Sequence, residues 1–240
     1  MSYQGKKIIV VMPAYNAAKT LKRTYDDLPK GLIDSVIVVD DASRDTTVAV
    51  AKDLGLTVFC HPKNRGYGGN QKTCYAAAAR AGGDIFVMVH PDHQYDPSFI
   101  PQMIETMVEN DCLAVFGSRM INRTNALAGG MPHWKFVFNI ILTKIGNLFL
   151  GTALSEFHSG FRAYDRRVFD LIDIEKNSDD FVFDTQIIIQ LAEKKIKIRE
   201  IPITTRYFKE ASQIGLWPSI KYGSGILYNI FLYKSGLRKF

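Results

Sequence analysis

The sequence lacks several features that would indicate a disulfide-rich, metal-clustered or membrane-spanning protein. Its 240 residues hold three cysteines, Cys60, Cys74 and Cys112, without a Cys-x-x-Cys pair, so neither a zinc site nor a disulfide framework is indicated. We therefore expect reduced thiols in a cytoplasmic protein. No apolar run reaches the roughly 18 residues that a spanning helix needs. The apolar segment 8–12 is short and runs into Pro13, so we expect no signal peptide.

The net charge favours anionic partners, and the absence of a binding motif argues against nucleic acid. The formal net charge of +6 favours anionic partners such as phosphates or acidic lipid surfaces. A basic stripe or a known nucleic-acid-binding motif is missing, so we expect no nucleic-acid partner. With 47% hydrophobic and 22% charged residues, the composition is that of a globular protein able to bury a sizeable core.

Short apolar runs alternate with helix-like segments in the first half of the chain. The predicted strands are residues 7–12, 35–40, 57–61, 85–90 and 113–118, and the predicted helices are residues 18–27, 46–54, 68–81 and 98–109. This alternation predicts an α/β protein with a mostly parallel sheet, flanking helices and right-handed crossovers. The second half predicts a loop, two helices, a strand and an apolar segment, at residues 122–132, 133–150, 183–194, 196–204 and 220–233.

Two of the predicted strands break abruptly into acidic and small polar residues. Asp40 and Asp41 end one strand, whereas His90, Asp92 and Gln94 follow another at alternate positions. Alternate side chains of an extended segment face the same way, and ligands of open α/β sheets bind beyond the carboxyl ends of the strands. We therefore predict a nucleotide near one strand end and a metal-bound diphosphate near the other.

Five motifs in order carry a resemblance to a known family. They lie at residues 10–16, 38–45, 64–66, 90–97 and 117–119, the last followed by residues 159–164. In this order the chain resembles the family 2 glycosyltransferases, which have the single-domain GT-A (Rossmann-like) fold. It is most similar to polyprenyl-phosphate glycosyltransferases of the dolichyl-phosphate mannose synthase type. The resemblance runs from about residue 7 to residue 212.

The resemblance implies a set of donor-binding residues. Pro13 and Tyr15 would line the nucleoside pocket and Asp41 would contact the base, although a plain turn and a helix cap with solvated acids are the alternatives for these positions. The full donor-binding set that we predict is Pro13, Tyr15, Asn16, Asp41, His90, Asp92, Arg206 and Ser212.

The resemblance also implies a divalent cation, Mn²⁺ or Mg²⁺. Family members usually carry Asp-x-Asp with Gln two places further on, and here His90 replaces the first Asp. Asp92 and Gln94 inherit the metal role. His90 either ligates Mn²⁺ through nitrogen, contacts the sugar, or is structural. Loss of one carboxylate weakens the hold on Mg²⁺, which prefers oxygen, while imidazole tolerates Mn²⁺ better. We predict that His93 faces away.

Two arginines are predicted to bind phosphate groups, because a guanidinium binds phosphate in a bidentate manner. The resemblance places Arg119 near an acceptor phosphate, and it places Arg206 and Ser212 on a loop that closes over the donor diphosphate. A surface salt bridge is the alternative for each arginine. Lys135 and Lys209 are weaker phosphate candidates.

The predicted catalytic residues are Asp92, Glu156, Arg119 and Arg206. Glu156 would serve as general base only for a hydroxyl acceptor, since a phosphate acceptor is already ionised and needs none. Its alternative roles are to position Arg119 or to pair with Arg162. Asp184 is a second candidate base.

We expect an inverting glycosyltransferase that uses a GDP- or UDP-linked sugar and transfers it to a polyprenyl phosphate. The alternatives are transfer to a saccharide hydroxyl in cell-surface polysaccharide or glycoprotein glycan synthesis, and a silent sugar-nucleotide-binding subunit.

Residues 1–212 would form the catalytic domain, and residues 213–240 an apolar, basic helical extension of the same unit. Segments 133–150 and 220–233 would contact the membrane surface, which would make the protein cytoplasmic and peripheral. The alternative is that both segments are core helices or form a homodimer surface.

Overall fold

A seven-stranded sheet lies at the centre of the protein. The computed structural model describes residues 3–206 and 216–237. Within them the strand order is β3-β2-β1-β4-β6-β5-β7. The strands are Ile8–Ala14 (β1), Ser35–Asp40 (β2), Thr57–Cys60 (β3), Ile85–Met88 (β4), Ala114–Ser118 (β5), Arg162–Asp165 (β6) and Ile198–Pro202 (β7).

Helices cover both faces of the sheet. They are Leu21–Asp26 (α1), Thr47–Asp53 (α2), Gly66–Arg80 (α3), Ile100–Glu109 (α4), Arg123–Ala128 (α5), His133–Leu150 (α6), Val168–Leu171 (α7), Phe183–Glu193 (α8) and Leu216–Lys234 (α9). Short 3₁₀ turns precede α4 and follow α7. The long helices predicted over residues 68–81, 98–109, 133–150 and 183–194 are confirmed to within a few residues at each end.

The sheet is mostly parallel, as predicted. Strand β1 pairs in parallel with β2 on one side and with β4 on the other, so the carboxyl ends of these three strands meet at one edge of the sheet. Successive residues of β1 point to opposite faces: Val10 packs into one hydrophobic cluster and Val11 into another. Because helices cover both faces, the strand is apolar throughout.

The structure corrects two of the expectations for the second half of the chain. Residues 122–132 were expected to form a loop, but they contain helix α5, whose Ala126 is buried with Met120 and Met131. Strand β6 was not predicted, because its four residues Arg162–Asp165 include two charged side chains. It inserts antiparallel between β4 and β5.

Helices α6 and α9 form an apolar layer beside the sheet. Ile226 and Ile230 of α9 pack on Ile189 of α8. On α6, Asn139 and Gly146 are buried, while residues on the opposite side such as Leu148 are exposed. None of the helices in residues 3–206 and 216–237 combines the length and the apolar character needed to cross a membrane.

Candidate functional site

A cleft of about 580 Å³ opens at the edge where β1, β2 and β4 end. Nine of the predicted site residues line it: Pro13, Tyr15, Asp41, His90, Asp92, Gln94, Arg119 and the further candidates Lys135 and Asp184. Three others, Asn16, Glu156 and Arg206, are described but do not line it. Ser212 and Lys209 lie outside the described residues. Most of the site residues predicted from the sequence therefore lie together in one cleft at the ends of the strands.

The loops after β1 and β2 form the first end of the cleft. Tyr15 is half exposed there, beside Pro13. The buried Asp41 carboxylate accepts hydrogen bonds from the backbone N–H groups of Arg65, at 2.8 Å, and Gly66, at 3.0 Å. Asp41 Oδ1 also lies 2.7 Å from His61 Nδ1. Asp41 thus anchors the loop before α3 as well as facing the cleft.

Asn16 ties the same two loops together from outside the cleft lining. Its side-chain oxygen accepts from the Arg44 N–H at 2.8 Å, and its own N–H donates to Ser43 Oγ at 2.8 Å. Its φ of 52° lies in the left-handed region, which asparagine tolerates better than most residues. The contacts are those of a residue that shapes the pocket, and its predicted contact with the donor stays a prediction.

The segment after β4 forms the middle of the cleft. Asp92 Oδ1 accepts from the Gln94 N–H at 3.0 Å, which closes a tight turn, and both residues line the cleft. His93 has a φ of 58° and directs its ring to Asp27, 2.9 Å away, so the prediction that it faces away is confirmed. Residues 3–206 and 216–237 hold no group of three His, Cys, Asp or Glu side chains suited to a metal.

His90 is part of a hydrogen-bonded chain that the sequence did not reveal. Its Nε2 lies 3.3 Å from the Tyr67 hydroxyl oxygen, and that hydroxyl donates to Asp184 Oδ2 at 2.7 Å. Burial lowers the pKa of His90, although the nearby Asp92 opposes the shift. Burial and Asp184 together raise the pKa of Tyr67 well above its usual value. Tyr67 directly follows the motif at residues 64–66, and this adjacency was the available signal.

A buried ion pair forms the far end of the cleft. The Glu156 carboxylate accepts from the backbone N–H of Arg119 at 2.9 Å and from its guanidinium, and Asn139 Nδ2 donates to Glu156 Oε1 at 2.8 Å. Burial alone would raise the pKa of Glu156, but the charge and hydrogen bonds of Arg119 outweigh it and lower the pKa. Of the roles predicted for Glu156, these contacts favour positioning Arg119. The alternative pairing with Arg162 is not formed, since Arg162 contacts Asp184 at 3.4 Å.

A second cation and an apolar wall stand beside Arg119. Lys135 lines the cleft, and burial together with the Arg119 charge lowers its pKa. Two cations this close repel each other unless an anion lies between them. The apolar lining residues on this side come from α6 and the turn before it: Met131, Trp134, Phe138 and Leu142. This end of the cleft is suited to an anionic group attached to an apolar chain.

Two aromatic residues with polar tips complete this end. The ring of His158 packs edge to face on Tyr222, with His158 Nδ1 3.3 Å from the tyrosine hydroxyl. Burial lowers the pKa of His158 to about 4. His158 directly precedes the motif at residues 159–164, which was the available signal for it, whereas Tyr222 lies in no motif.

Arg206 points away from the cleft. Its guanidinium donates to Asp27 and to Asp96, each at 3.2 Å, and its backbone N–H donates to the Gln94 carbonyl at 2.9 Å. The alternative that the sequence left open, a surface salt bridge, therefore describes its contacts here. Its predicted role at the donor diphosphate remains a prediction that would require these ion pairs to break.

Comparison with known sequences adds a family. The sequence model of the family described as "Glycosyl transferase family 2" matches residues 9–172. The chain is 27% identical over 248 residues to the UDP-N-acetylglucosamine–dolichyl-phosphate N-acetylglucosaminyltransferase of Methanococcus voltae, covering 96% of this chain and 97% of that protein. It is also 27% identical over 209 residues to the undecaprenyl-phosphate mannosyltransferase of Micrococcus luteus, covering 82% of this chain and 83% of that protein.

Comparison with solved structures supports the fold. The glucosyl-3-phosphoglycerate synthase of Mycobacterium tuberculosis, solved with Mn²⁺, uridine diphosphate and glucosyl-3-phosphoglycerate, aligns with a TM-score of 0.73. The match covers 98% of this chain and 82% of that one at 19% sequence identity. The GT-A fold expected from the sequence is thereby confirmed.

Proposed function

Since the chain belongs to glycosyl transferase family 2, we propose that it moves a sugar from a nucleoside-diphosphate sugar to a polyprenyl phosphate, with inversion at the anomeric carbon. The observation that carries the proposal is that one cleft has the strand-end acids at one side and Arg119 and Lys135 at the other. The two relatives described above bear names that include dolichyl phosphate and undecaprenyl phosphate, which supports this acceptor class.

The donor would lie across the carboxyl ends of β1, β2 and β4. Tyr15 offers an exposed ring face to a base, and Asp41 offers a carboxylate at the floor of the same end. The diphosphate would then reach Asp92. This placement follows the general location of ligands in open α/β sheets.

The residues present fit a cation that is shared with the donor. Asp92 brings one carboxylate to the cleft, with Gln94 next to it, and the described residues offer no cluster of three acidic or histidine ligands. Divalent cations in nucleotide enzymes are commonly held by one or two carboxylates together with substrate phosphates. When bound, Mn²⁺ or Mg²⁺ would neutralise charge on the departing diphosphate.

The acceptor phosphate would bind at Arg119 and Lys135. An oxygen of that phosphate attacks the anomeric carbon and forms the new C–O bond. The bond from this carbon to the β-phosphate oxygen breaks, and the nucleoside diphosphate leaves with the electron pair. Because a phosphate monoester is ionised at neutral pH, no side chain has to remove a proton. Glu156 and Asn139 hold Arg119 in place.

The apolar residues beside this anion site suit a lipid chain. Helices α6 and α9 expose large apolar side chains, which are Val137, Phe138, Ile141, Leu148, Phe149, Leu227, Tyr228 and Phe231. We propose that these helices rest on the membrane surface that carries the acceptor. Flotation with liposomes tests the contact, and no association at low salt would contradict it.

The saccharide alternative needs a general base. Glu156 is buried with both oxygens bonded to Arg119, and the Asp184 carboxylate accepts from Tyr67. Asp180 is the exposed acid of the cleft lining, so Asp180→Asn is the variant to compare. If it abolished transfer while donor binding persisted, the hydroxyl acceptor would be favoured.

The test of the proposal has two steps. Thermal unfolding is first measured with a panel of GDP- and UDP-sugars and Mn²⁺, since a bound donor raises the unfolding temperature by mass action. Radiolabel transfer is then compared between a short polyprenyl phosphate, the corresponding polyprenol and a free saccharide. We expect label only on the phosphate, and much less with Arg119→Gln than with the exposed control Arg80→Gln. Donor binding without turnover on any acceptor would support a silent subunit instead.

A further inference from the structure

The ring of His90 is enclosed on one side. Its Nε2 edge faces the Tyr67 hydroxyl at 3.3 Å, and the two rings lie nearly parallel with centroids 5.5 Å apart. Gly160 covers the same edge so closely that a methyl group there would stand 2.6 Å from Nε2. A ligand therefore has no access to Nε2. Because His90 still lines the cleft, the nitrogen left to meet a ligand is Nδ1.

The direction of the hydrogen bonds decides where the ring proton lies. The Tyr67 hydroxyl gives its proton to Asp184 Oδ2 at 2.7 Å, because a carboxylate can only accept. The hydroxyl oxygen must then accept from Nε2–H of His90. In a neutral imidazole one nitrogen carries the proton and the other keeps its lone pair, so this chain leaves the lone pair on Nδ1.

We propose that Tyr67 and Asp184 fix His90 as the Nε2–H tautomer, so that Nδ1 is a nitrogen ligand to the divalent cation held with the donor diphosphate. The inference rests on the proposed function and assigns Tyr67 and Asp184 as positioning residues. Metal-binding histidines generally donate their second N–H to a neighbouring acceptor that sets the tautomer and orients the ring. Here Tyr67 is that acceptor, and Arg162 and Gln71 on the far side hold Asp184 in place.

A nitrogen ligand has a consequence for the choice of metal. Mn²⁺ and Co²⁺ accept an imidazole nitrogen more readily than Mg²⁺, which takes oxygen ligands. We therefore expect the protein to bind Mn²⁺ and Co²⁺ in preference to Mg²⁺ when a nucleoside diphosphate is present. The variant His90→Asp, which restores an all-oxygen set, should reduce the ratio of Mn²⁺ affinity to Mg²⁺ affinity.

The direct test detects the metal–nitrogen bond. The protein is grown with ¹⁵N-histidine, loaded with Mn²⁺ and either UDP or GDP, and studied by pulsed electron paramagnetic resonance for coupling between manganese and ¹⁵N. We expect a coupling in the wild type that is lost in His90→Asp and retained in His133→Gln, which changes an exposed histidine at the start of α6.

The positioning role is tested by removing one hydroxyl. Tyr67→Phe should weaken Mn²⁺ binding, measured by calorimetry with the nucleoside diphosphate, by about tenfold. The control is Tyr25→Phe on α1, a tyrosine that does not line the cleft. Equal affinities for Tyr67→Phe and the control would overturn the positioning role.

The two levels of the proposal fail in different ways. If Mn²⁺ and the nucleoside diphosphate bind but no ¹⁵N coupling is seen, His90 is not a ligand, and the inference is wrong while the proposed function stands. If neither UDP nor GDP binds with any metal, the proposed function itself fails.

Discussion

Arg119 in the cleft and the buried Arg162 behind it keep their positions because neighbouring groups hydrogen-bond them. Arg119 is held by Glu156, and Arg162 by backbone carbonyl groups and Asp184. Removing one member of such a pair leaves the other charge buried without compensation, which costs far more than losing an exposed pair. The same contacts therefore serve the stability of the fold and the alignment of the site.

Glu156→Ala tests this directly. Because the Arg119 charge is left uncompensated, we expect the free energy of unfolding to fall by about 3–5 kcal/mol in urea denaturation. The control is Lys22→Ala, which breaks the exposed pair with Asp26 and should cost less than about 1 kcal/mol. Similar losses for the two variants would show that the Arg119–Glu156 pair is not the strong contact described above.

His158 should make the stability depend on pH. Its pKa is about 4 in the folded protein and 6.5 ordinarily, so between these values the unfolded chain binds the extra proton. Stability is then complete above about pH 6.5 and declines as the pH falls towards 4, by roughly 1–3 kcal/mol. Urea unfolding at several pH values measures the slope. His158→Gln should flatten it, whereas the exposed His133→Gln should not.

At the scale of secondary-structure elements, the close approach of α3 to the segment before α8 shapes one wall of the cleft. Gly68 and Gly69 donate backbone hydrogen bonds to the Asp179 carbonyl, and buried Lys72 bonds the Asp179 carboxylate at 2.7 Å. Because these positions of α3 are glycines, the backbone of the segment before α8 can pack directly against the helix. The wall that results includes the rings of Tyr67 and Phe181, which pack at a tilt of 31° with their centroids 4.9 Å apart.

Gly68→Ala should disturb this contact. A methyl group at Gly68 would collide with the Ser178 carbonyl oxygen and stand 2.8 Å from Phe183 Cβ, so we expect a loss of about 1–3 kcal/mol in unfolding free energy. Gly31→Ala is the matched control, because nothing lies within 4 Å of its new methyl group. An unchanged stability of Gly68→Ala would show that the α3 contact can yield without cost.

These elements also show what the sequence could predict. An apolar run that ends in acidic residues predicts a buried parallel strand, because both faces of such a strand are covered. The acidic residues predict a ligand site, because ligands bind beyond the carboxyl ends of such strands. Tyr67 and Asp184 lie 117 residues apart in the chain, and no local pattern records such a pairing. Strand β6 was missed because a buried arginine with several acceptors looks, in sequence, like an exposed one.

On the scale of the whole molecule, the net charge of +6 and the exposed apolar residues of α6 and α9 act together. Basic residues near an anionic surface contribute roughly 1 kcal/mol each, and salt screens this attraction. Apolar side chains add a contribution that salt does not screen. The combination predicts association with anionic vesicles that weakens, but does not vanish, as salt rises.

Leu148→Glu and Phe231→Glu should each reduce flotation with anionic liposomes, since each places a negative charge on an exposed apolar face. The control is Leu171→Glu, which changes an exposed leucine on α7. Flotation of all three variants at the wild-type level would contradict the membrane contact. Circular dichroism confirms that each variant remains folded.

Helix α6 has an exposed apolar side and a buried side that contacts the residues behind the cleft. On the buried side of α6, Asn139 donates a hydrogen bond to the Glu156 carboxylate, which holds Arg119, and Gly146 allows the helix to pack closely against Phe157. Leu148 lies on the opposite, exposed side. If α6 contacts the bilayer as proposed, this one helix connects the membrane surface to the residues that position Arg119. On that proposal, binding to lipid would also align the acceptor site, and an assay without membranes would measure the enzyme before this alignment.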